Sequence, residues 1–165
     1  MNGELIPKQV VVKLPSASAD ARGRPVFMVH PIEGVVELLR GVAAGVRGLV
    51  YGLQCTAAAP LDDMSALARF YVGHVRAVQP RPPYTLLGYS FGASVAVEMA
   101  LQLEKEGCET QVVLVDGSPA YVATHTTRGK SKRASRGPAA DEADALAFFV
   151  QLFQDVDAAK VTIIP

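Results

Sequence analysis

A serine flanked by glycines is the residue of this sequence best placed to carry out chemistry. Residues 88–92 read Gly-Tyr-Ser-Phe-Gly, between the apolar run at 84–87 and a stretch of helical periodicity at 91–106. A nucleophilic serine needs such a tight strand-to-helix turn, which exposes its hydroxyl and tolerates only small flanking residues. The helix N-terminus also offers free N–H groups to an oxyanion. We therefore predict that Ser90 is a nucleophile; the alternative is an ordinary turn.

A nucleophilic serine needs a base, and the base needs an acid that orients it. Asp116 directly follows the apolar run at 111–115, which is the strand predicted after the Ser90 helix. A carboxylate at the end of that strand would lie on the same rim of a sheet as Ser90. We expect Asp116 to be the triad acid, although Asp-Gly-Ser-Pro at 116–119 could also simply form a turn.

A second loop with possible catalytic value is His-Pro-Ile-Glu-Gly at residues 30–34, directly after the apolar run at 25–29. In hydrolases with a serine turn of this kind, the corresponding loop gives a backbone N–H to the oxyanion hole. Pro31 has no N–H, so Ile32 is the predicted donor and Phe91 the second. For His30 we favour a structural role, because it lies at the end of a buried strand.

Short apolar strands alternate with amphipathic helices along the part of the chain that must position these residues. The predicted strands lie at 25–29, 49–53, 84–88 and 111–115, and the predicted helices at 35–46, 64–78 and 91–106. This alternation predicts an α/β fold with a doubly wound, mainly parallel sheet. Ligands of such sheets bind beyond the carboxyl ends of the strands. We expect residues 1–23 to be a flexible linker with one short edge strand, and residues 24–165 to form one domain.

Composition narrows the range of partners. The chain has 165 residues with 16 basic and 16 acidic side chains, so it has no basic field for nucleic acid. No apolar stretch approaches the roughly 20 residues of a membrane span, and the N-terminus does not resemble a signal peptide. We expect a cytoplasmic protein.

Two further features have plain explanations. Cys55 and Cys108 stand apart from any Cys/His cluster, so we expect buried, unreactive thiols and no metal site. The basic stretch at 126–138 is interpreted as a solvated loop; the alternatives are phosphorylation of Ser135 by a basophilic kinase and a targeting patch.

Several segments together resemble the thioesterase domain of animal fatty acid synthase, an α/β-hydrolase. They are HPIEG at 30–34, YGLQC at 51–55, Gln-Pro at 79–80 with Pro-Tyr at 83–84, GYSFG at 88–92 and VDGSPAY at 115–121. The likeness runs from about residue 24 to about residue 161. It implies that a long-chain fatty acyl group is hydrolysed from the phosphopantetheine arm of an acyl carrier protein, giving free fatty acid in fatty acid biosynthesis.

The resemblance also assigns roles. It implies Ser90 as nucleophile, Asp116 as triad acid, the N–H groups of Ile32 and Phe91 as oxyanion hole, and residues 146–153 as part of a helical cap. It implies no metal and no cofactor other than the arm that carries the substrate. The implied partners are the acyl carrier protein and the rest of a fatty acid synthase.

The family's triad histidine has no match in this chain. In the family it follows the last strand, downstream of the cap, whereas this chain has only His30, His74 and His125. His74 falls in a predicted helix, and His125 is not favoured as a substitute. We therefore expect the chain alone to be nearly inactive, an incomplete part of a larger synthase with the strand before Asp116 at an unpaired edge. Two alternatives remain, a non-catalytic product that binds acyl groups or carrier protein, and a free-standing editing thioesterase of a polyketide or peptide synthase.

Overall fold

One five-stranded sheet organises the computed structural model, which describes residues 6–18 and 23–117. The strands are β1 (Val11–Lys13), β2 (Val26–Val29), β3 (Val50–Leu53), β4 (Tyr84–Tyr89) and β5 (Thr110–Val115). Their order is β1-β3-β2-β4-β5. The β1–β3 pair is antiparallel and the other three pairs are parallel. The predicted α/β fold with a mainly parallel sheet is confirmed.

Helices connect the parallel strands. A 3-10 helix, Glu37–Leu39, continues into α1 (Arg40–Ala44), and α2 (Met64–Val78) and α3 (Phe91–Lys105) follow. The last two match the predicted helices to within one residue. The helix predicted at 35–46 is wrong in extent, since only five of its residues are α-helical. Gly45 directly follows the last residue of α1 and favours its end there, because glycine weakens a helix by about 1 kcal/mol relative to alanine.

Apolar side chains cover both faces of the sheet. Successive residues of a strand point to opposite faces, so Phe27 and Val29 of β2 pack with α2 and α3 side chains, including Tyr71. Met28, between them, packs on the other face with Leu39 and its neighbours. Burial on both faces explains why β2 reads as a continuous apolar run, and it fixes the carboxyl end of the sheet as a rigid platform.

The predicted short edge strand near the N-terminus is confirmed as β1. Lys13 pairs with Tyr51 of β3, and the next residue, Leu14, is only 4% exposed and belongs to the core. Part of the segment predicted as a linker therefore contributes to the sheet. The domain boundary at residues 23 and 24 stays a prediction.

At the other side of the sheet, β5 is the outermost strand in the described part of the chain, as expected for the strand before Asp116. Val113 and Leu114 of this strand are 42% and 40% exposed. Within the described ranges, no helix is long and apolar enough to cross a lipid bilayer.

A side-chain cap fixes where α2 begins. The Asp63 carboxylate accepts a hydrogen bond from the Ala66 N–H at 2.7 Å. Asp63→Ala should lower the free energy of unfolding by about 1 kcal/mol, because a helix N-terminal N–H loses its partner. Urea denaturation measures this loss, and Asp62→Ala, which removes the adjacent exposed carboxylate, is the matched control. Equal stabilities of the two variants would contradict the capping role.

Candidate active site

Ser90 lies in a tight turn between β4 and α3, at the carboxyl end of the sheet. Its backbone has φ 53° and ψ −119°, a conformation that residues with a side chain rarely adopt. The Ser90 N–H donates to the Val115 carbonyl at 3.0 Å, and the Ser90 carbonyl accepts from the Ala93 N–H at 3.0 Å. These bonds hold the turn in place. Strain of this kind persists where the surrounding structure enforces it, which is typical of functional turns.

Three glycines let backbone segments approach closely around this turn. A Cβ atom on Gly88 would overlap the Gly92 carbonyl oxygen, and one on Gly92 would lie 2.5 Å from the His30 carbonyl oxygen. A Cβ atom on Gly117 would lie 2.5 Å from the Ser90 carbonyl oxygen. The motif at 88–92 predicted the first two glycines. Sequence reasoning missed Gly117, although Asp-Gly at the end of a predicted strand was a usable signal.

Asp116 lies beside the serine turn. Tyr89 and Val115 are paired residues of the parallel strands β4 and β5, so Ser90 and Asp116 each follow a paired residue at the same sheet edge. Asp116 is exposed and has φ 49°. Among the non-glycine residues of the described ranges, Ser90 and Asp116 are the two with positive φ. The structure thus brings the predicted nucleophile and acid to one rim, both on strained backbone.

Ile32 and Phe91 lie on loops that leave two adjacent strands. Val29 of β2 pairs with Gly88 of β4, so residues 30–34 and the serine turn are neighbours. Phe91 is the first residue of α3, where the helix leaves backbone N–H groups without an internal partner. Ile32 is 49% exposed in a turn closed by a bond from the Gly34 N–H to the Pro31 carbonyl at 3.1 Å. The two predicted oxyanion donors share this rim with Ser90.

A cavity of about 450 Å³ opens next to these donors. Its lining includes Ile32 and Phe91. The other lining side chains are mainly apolar and come from the N-terminal segment, the segment after β3 and the start of α2, among them Ile6, Ala59, Leu61 and Leu67. Ile6 and Leu61 are 49% and 73% exposed at its edge. The cavity can accept an apolar group beside the serine turn.

His30 is buried at the end of β2, as the sequence indicated. One ring nitrogen, Nδ1, lies 2.5 Å from the Pro31 carbonyl oxygen, and the other, Nε2, lies 2.7 Å from the Tyr71 hydroxyl oxygen. Burial lowers the pKa of His30, against the Pro31 carbonyl and the Glu33 carboxylate, which both favour the charged ring. Burial also raises the pKa of the Tyr71 hydroxyl, with a further contribution from Cys55. Both nitrogens of His30 are engaged, so the ring is not free to act on Ser90.

The other predicted features are distributed as follows. His74 lies on α2 and packs edge-on against Phe70, with ring centroids 4.7 Å apart. Cys55 and Cys108 are free thiols, half-buried rather than fully buried as predicted. His125, Ser135 and the helix predicted at 146–153 lie outside the described residues. Within those residues, no cluster of three or more His, Cys, Asp or Glu side chains could hold a metal ion.

Comparison with known proteins gives the chain a family context. The protein-family model of the thioesterase domain matches residues 24–162 of this chain. Polyketide synthase PksR of Bacillus subtilis is 35% identical over 102 residues, 59% of this chain and 4% of that protein. A dimodular nonribosomal peptide synthase of the same bacterium is 37% identical over 105 residues, 58% of this chain and 4% of that protein. The chain therefore spans only a few per cent of the length of these relatives.

Solved structures give the same picture of the fold. The NocB thioesterase domain from the nocardicin cluster superposes with a TM-score of 0.56 at 26% identity, covering 74% of this chain and 60% of that one. The type II thioesterase YbtT, from the yersiniabactin NRPS/PKS biosynthetic pathway, superposes with a TM-score of 0.58 at 20% identity. That match covers 87% of this chain and 57% of YbtT. At this identity the second likeness concerns the fold alone.

Proposed function

Because this chain belongs to the thioesterase domain family and has the fold of an α/β-hydrolase, we propose that it hydrolyses acyl thioesters carried by a polyketide or nonribosomal peptide synthase. The relatives support this assignment, since they are a polyketide synthase and a peptide synthase. They favour the alternative derived from the sequence over the release of long-chain fatty acid by a fatty acid synthase. The resemblance to the thioesterase domain of animal fatty acid synthase therefore predicted the family, but the relatives do not support a place in fatty acid biosynthesis.

The observation that carries the proposal is the strained Ser90 turn, closed by glycines and placed beside Asp116. In the proposed mechanism Ser90 Oγ attacks the thioester carbonyl carbon while a base takes the hydroxyl proton. The N–H groups of Ile32 and Phe91 stabilise the oxyanion that forms. When the intermediate collapses, the carbon–sulfur bond breaks and the leaving thiol takes the proton. Water then attacks the acyl-serine ester by the same route and frees the carboxylic acid.

Asp116 is proposed to orient the base, as the acid of a triad does. His30 cannot be that base, because Pro31 and Tyr71 engage its two nitrogens. His74, the other histidine of the described residues, packs against Phe70 on α2. The base is therefore proposed to come from outside the described residues. The thiol that leaves is proposed to be the phosphopantetheine arm of a carrier protein, which makes a carrier protein the expected partner and requires no cofactor bound to this chain.

A base supplied from solution tests this assignment. The substrate is a carrier protein whose phosphopantetheine arm bears an acetyl group. We expect the chain to hydrolyse it slowly, and the rate to rise in proportion to added imidazole, because a small base from solution can take the Ser90 hydroxyl proton. Release of free thiol from the carrier protein measures the rate. The same mixture with Ser90→Ala protein gives the background of imidazole reacting in solution and must be subtracted.

Two variants of the assay separate the remaining possibilities. If the chain is already fast without imidazole and His125→Ala removes that activity, His125 is the base. If imidazole gives no rate above the Ser90→Ala background, the hydrolytic assignment fails. Retained binding of the acyl carrier protein in that case would identify a non-catalytic binding protein, which is the other alternative left open by the sequence.

A further inference from the structure

A single buried side chain contacts both halves of the proposed oxyanion hole. His30 lies between the loop that carries Ile32 and the helix start that carries Phe91. We propose that His30 and Tyr71 form a positioning pair, which holds these two backbone N–H donors in a fixed position relative to each other. This role rests on the proposed function, because it presumes that the two N–H groups stabilise a transition state.

The contact with Pro31 specifies which nitrogen of His30 carries a hydrogen. The Pro31 carbonyl oxygen, 2.5 Å from Nδ1, can only accept, so Nδ1 must carry a hydrogen. In a neutral ring, Nε2 is then an acceptor, and the Tyr71 hydroxyl, 2.7 Å away, donates to it. Burial favours this neutral ring by lowering its pKa. The bond to Pro31 fixes the peptide directly before Ile32, which is the loop half of the hole.

The second half of the hole touches the same residue. The His30 ring stacks on the Phe91 ring, with centroids 6.1 Å apart and planes inclined by 29°. Behind it, α3 approaches so closely that a Cβ atom on Gly92 would lie 2.5 Å from the His30 carbonyl oxygen. A shift of His30 would therefore displace both the loop and the helix start.

Tyr71 attaches His30 to the hydrophobic core. It is fully buried on α2, in the main core cluster, and its ring meets the His30 ring edge-on with centroids 5.6 Å apart. The two residues are 41 positions apart in sequence. The hydroxyl thus anchors the loop to the core rather than to another loop, which is the support that a preorganised site needs.

Tyr71→Phe removes this anchor and leaves the packing of the ring. In the imidazole assay we expect kcat to fall about 10- to 30-fold with KM changed less than about twofold, because the lost interaction matters only in the transition state. The matched control is Tyr84→Phe. Tyr84 is also buried, 1% exposed, but lies at the opposite end of β4 from Ser90. We expect this control to retain the parent kcat.

Nitrogen NMR of the His30 ring provides a readout that does not need activity. Labelled chain should show a neutral His30 with hydrogen on Nδ1, and Tyr71→Phe should shift the Nε2 resonance while Tyr84→Phe does not. Hydrogen on Nε2 alone, or equal kcat in the two variants, would overturn the positioning role. If instead Ser90→Ala protein keeps the parent rate, the proposed function fails, and the NMR result still decides the hydrogen-bonded pair.

Discussion

Ser90→Ala is expected to remove all imidazole-dependent hydrolysis of the acyl carrier protein, a loss of at least about 10³-fold relative to the parent chain. The loss is large because Ser90 Oγ is the atom proposed to form the acyl-enzyme bond. Without it, imidazole can act only in solution. Time courses of free thiol release at several imidazole concentrations measure the effect as a change of slope.

The same helix supplies a matched control for this substitution. Ser94 is half-buried on α3, one turn beyond Ser90, and its buried hydroxyl has no hydrogen-bond partner among the described residues. Ser94→Ala also removes one hydroxyl, and we expect the rate of the parent chain. An imidazole-dependent slope in Ser90→Ala protein equal to that of Ser94→Ala would rule out Ser90 as the nucleophile.

Gly88→Ala is expected to destabilise the chain by about 4 kcal/mol or more, so that much of it fails to fold. The new methyl group would overlap the Gly92 carbonyl oxygen and lie 2.5 Å from the Ala93 Cα atom. Both contacts are with backbone, so relief requires β4 and α3 to move apart. Overpacking normally costs about 1–3 kcal/mol when side chains can adjust, and a clash with fixed backbone should exceed that range.

Gly73→Ala provides the control for a methyl group added without a clash. Gly73 is exposed within α2, and a Cβ atom there meets nothing within 4 Å. This substitution should stabilise the chain by about 0.5–1 kcal/mol, because alanine is the better helix former. Chemical denaturation compares both variants with the parent. A Gly88→Ala protein as stable as the parent would show that the serine turn does not need this close approach.

Most of the fold could be predicted from local patterns in the sequence. β2 is evident as a short, continuous apolar run, and α2 is evident from the helical spacing of its apolar residues, since burial on two faces or on one face leaves these different patterns. The length of the helix at 35–46 was overestimated because its apolar spacing is helical. Gly41 and Gly45 nevertheless weaken the helical preference of its backbone. Periodicity reports which face is buried and says less about where a helix stops.

The candidate site was predictable where each residue belongs to a local pattern, such as a glycine-flanked turn or the end of a strand. Ser90 was evident because its glycines lie two positions away, and Asp116 because it ends the next strand. The bond from Tyr71 to His30 spans 41 positions and depends on how α2 packs, so no local pattern indicated it. The motif at 88–92 also did not predict the pathway, because its residues build the turn, and a turn of this kind serves a serine nucleophile whatever acyl group is carried.

The backbone conformation of Ser90 has a cost in stability, because a side chain at this position is strained. Glycine adopts φ 53° and ψ −119° without steric strain, whereas serine in this conformation costs roughly 1–3 kcal/mol of stability. Stability alone therefore favours glycine at position 90. Under the proposed function, the fold gives up part of its free energy of unfolding at this position in return for a reactive hydroxyl, as functional sites commonly do.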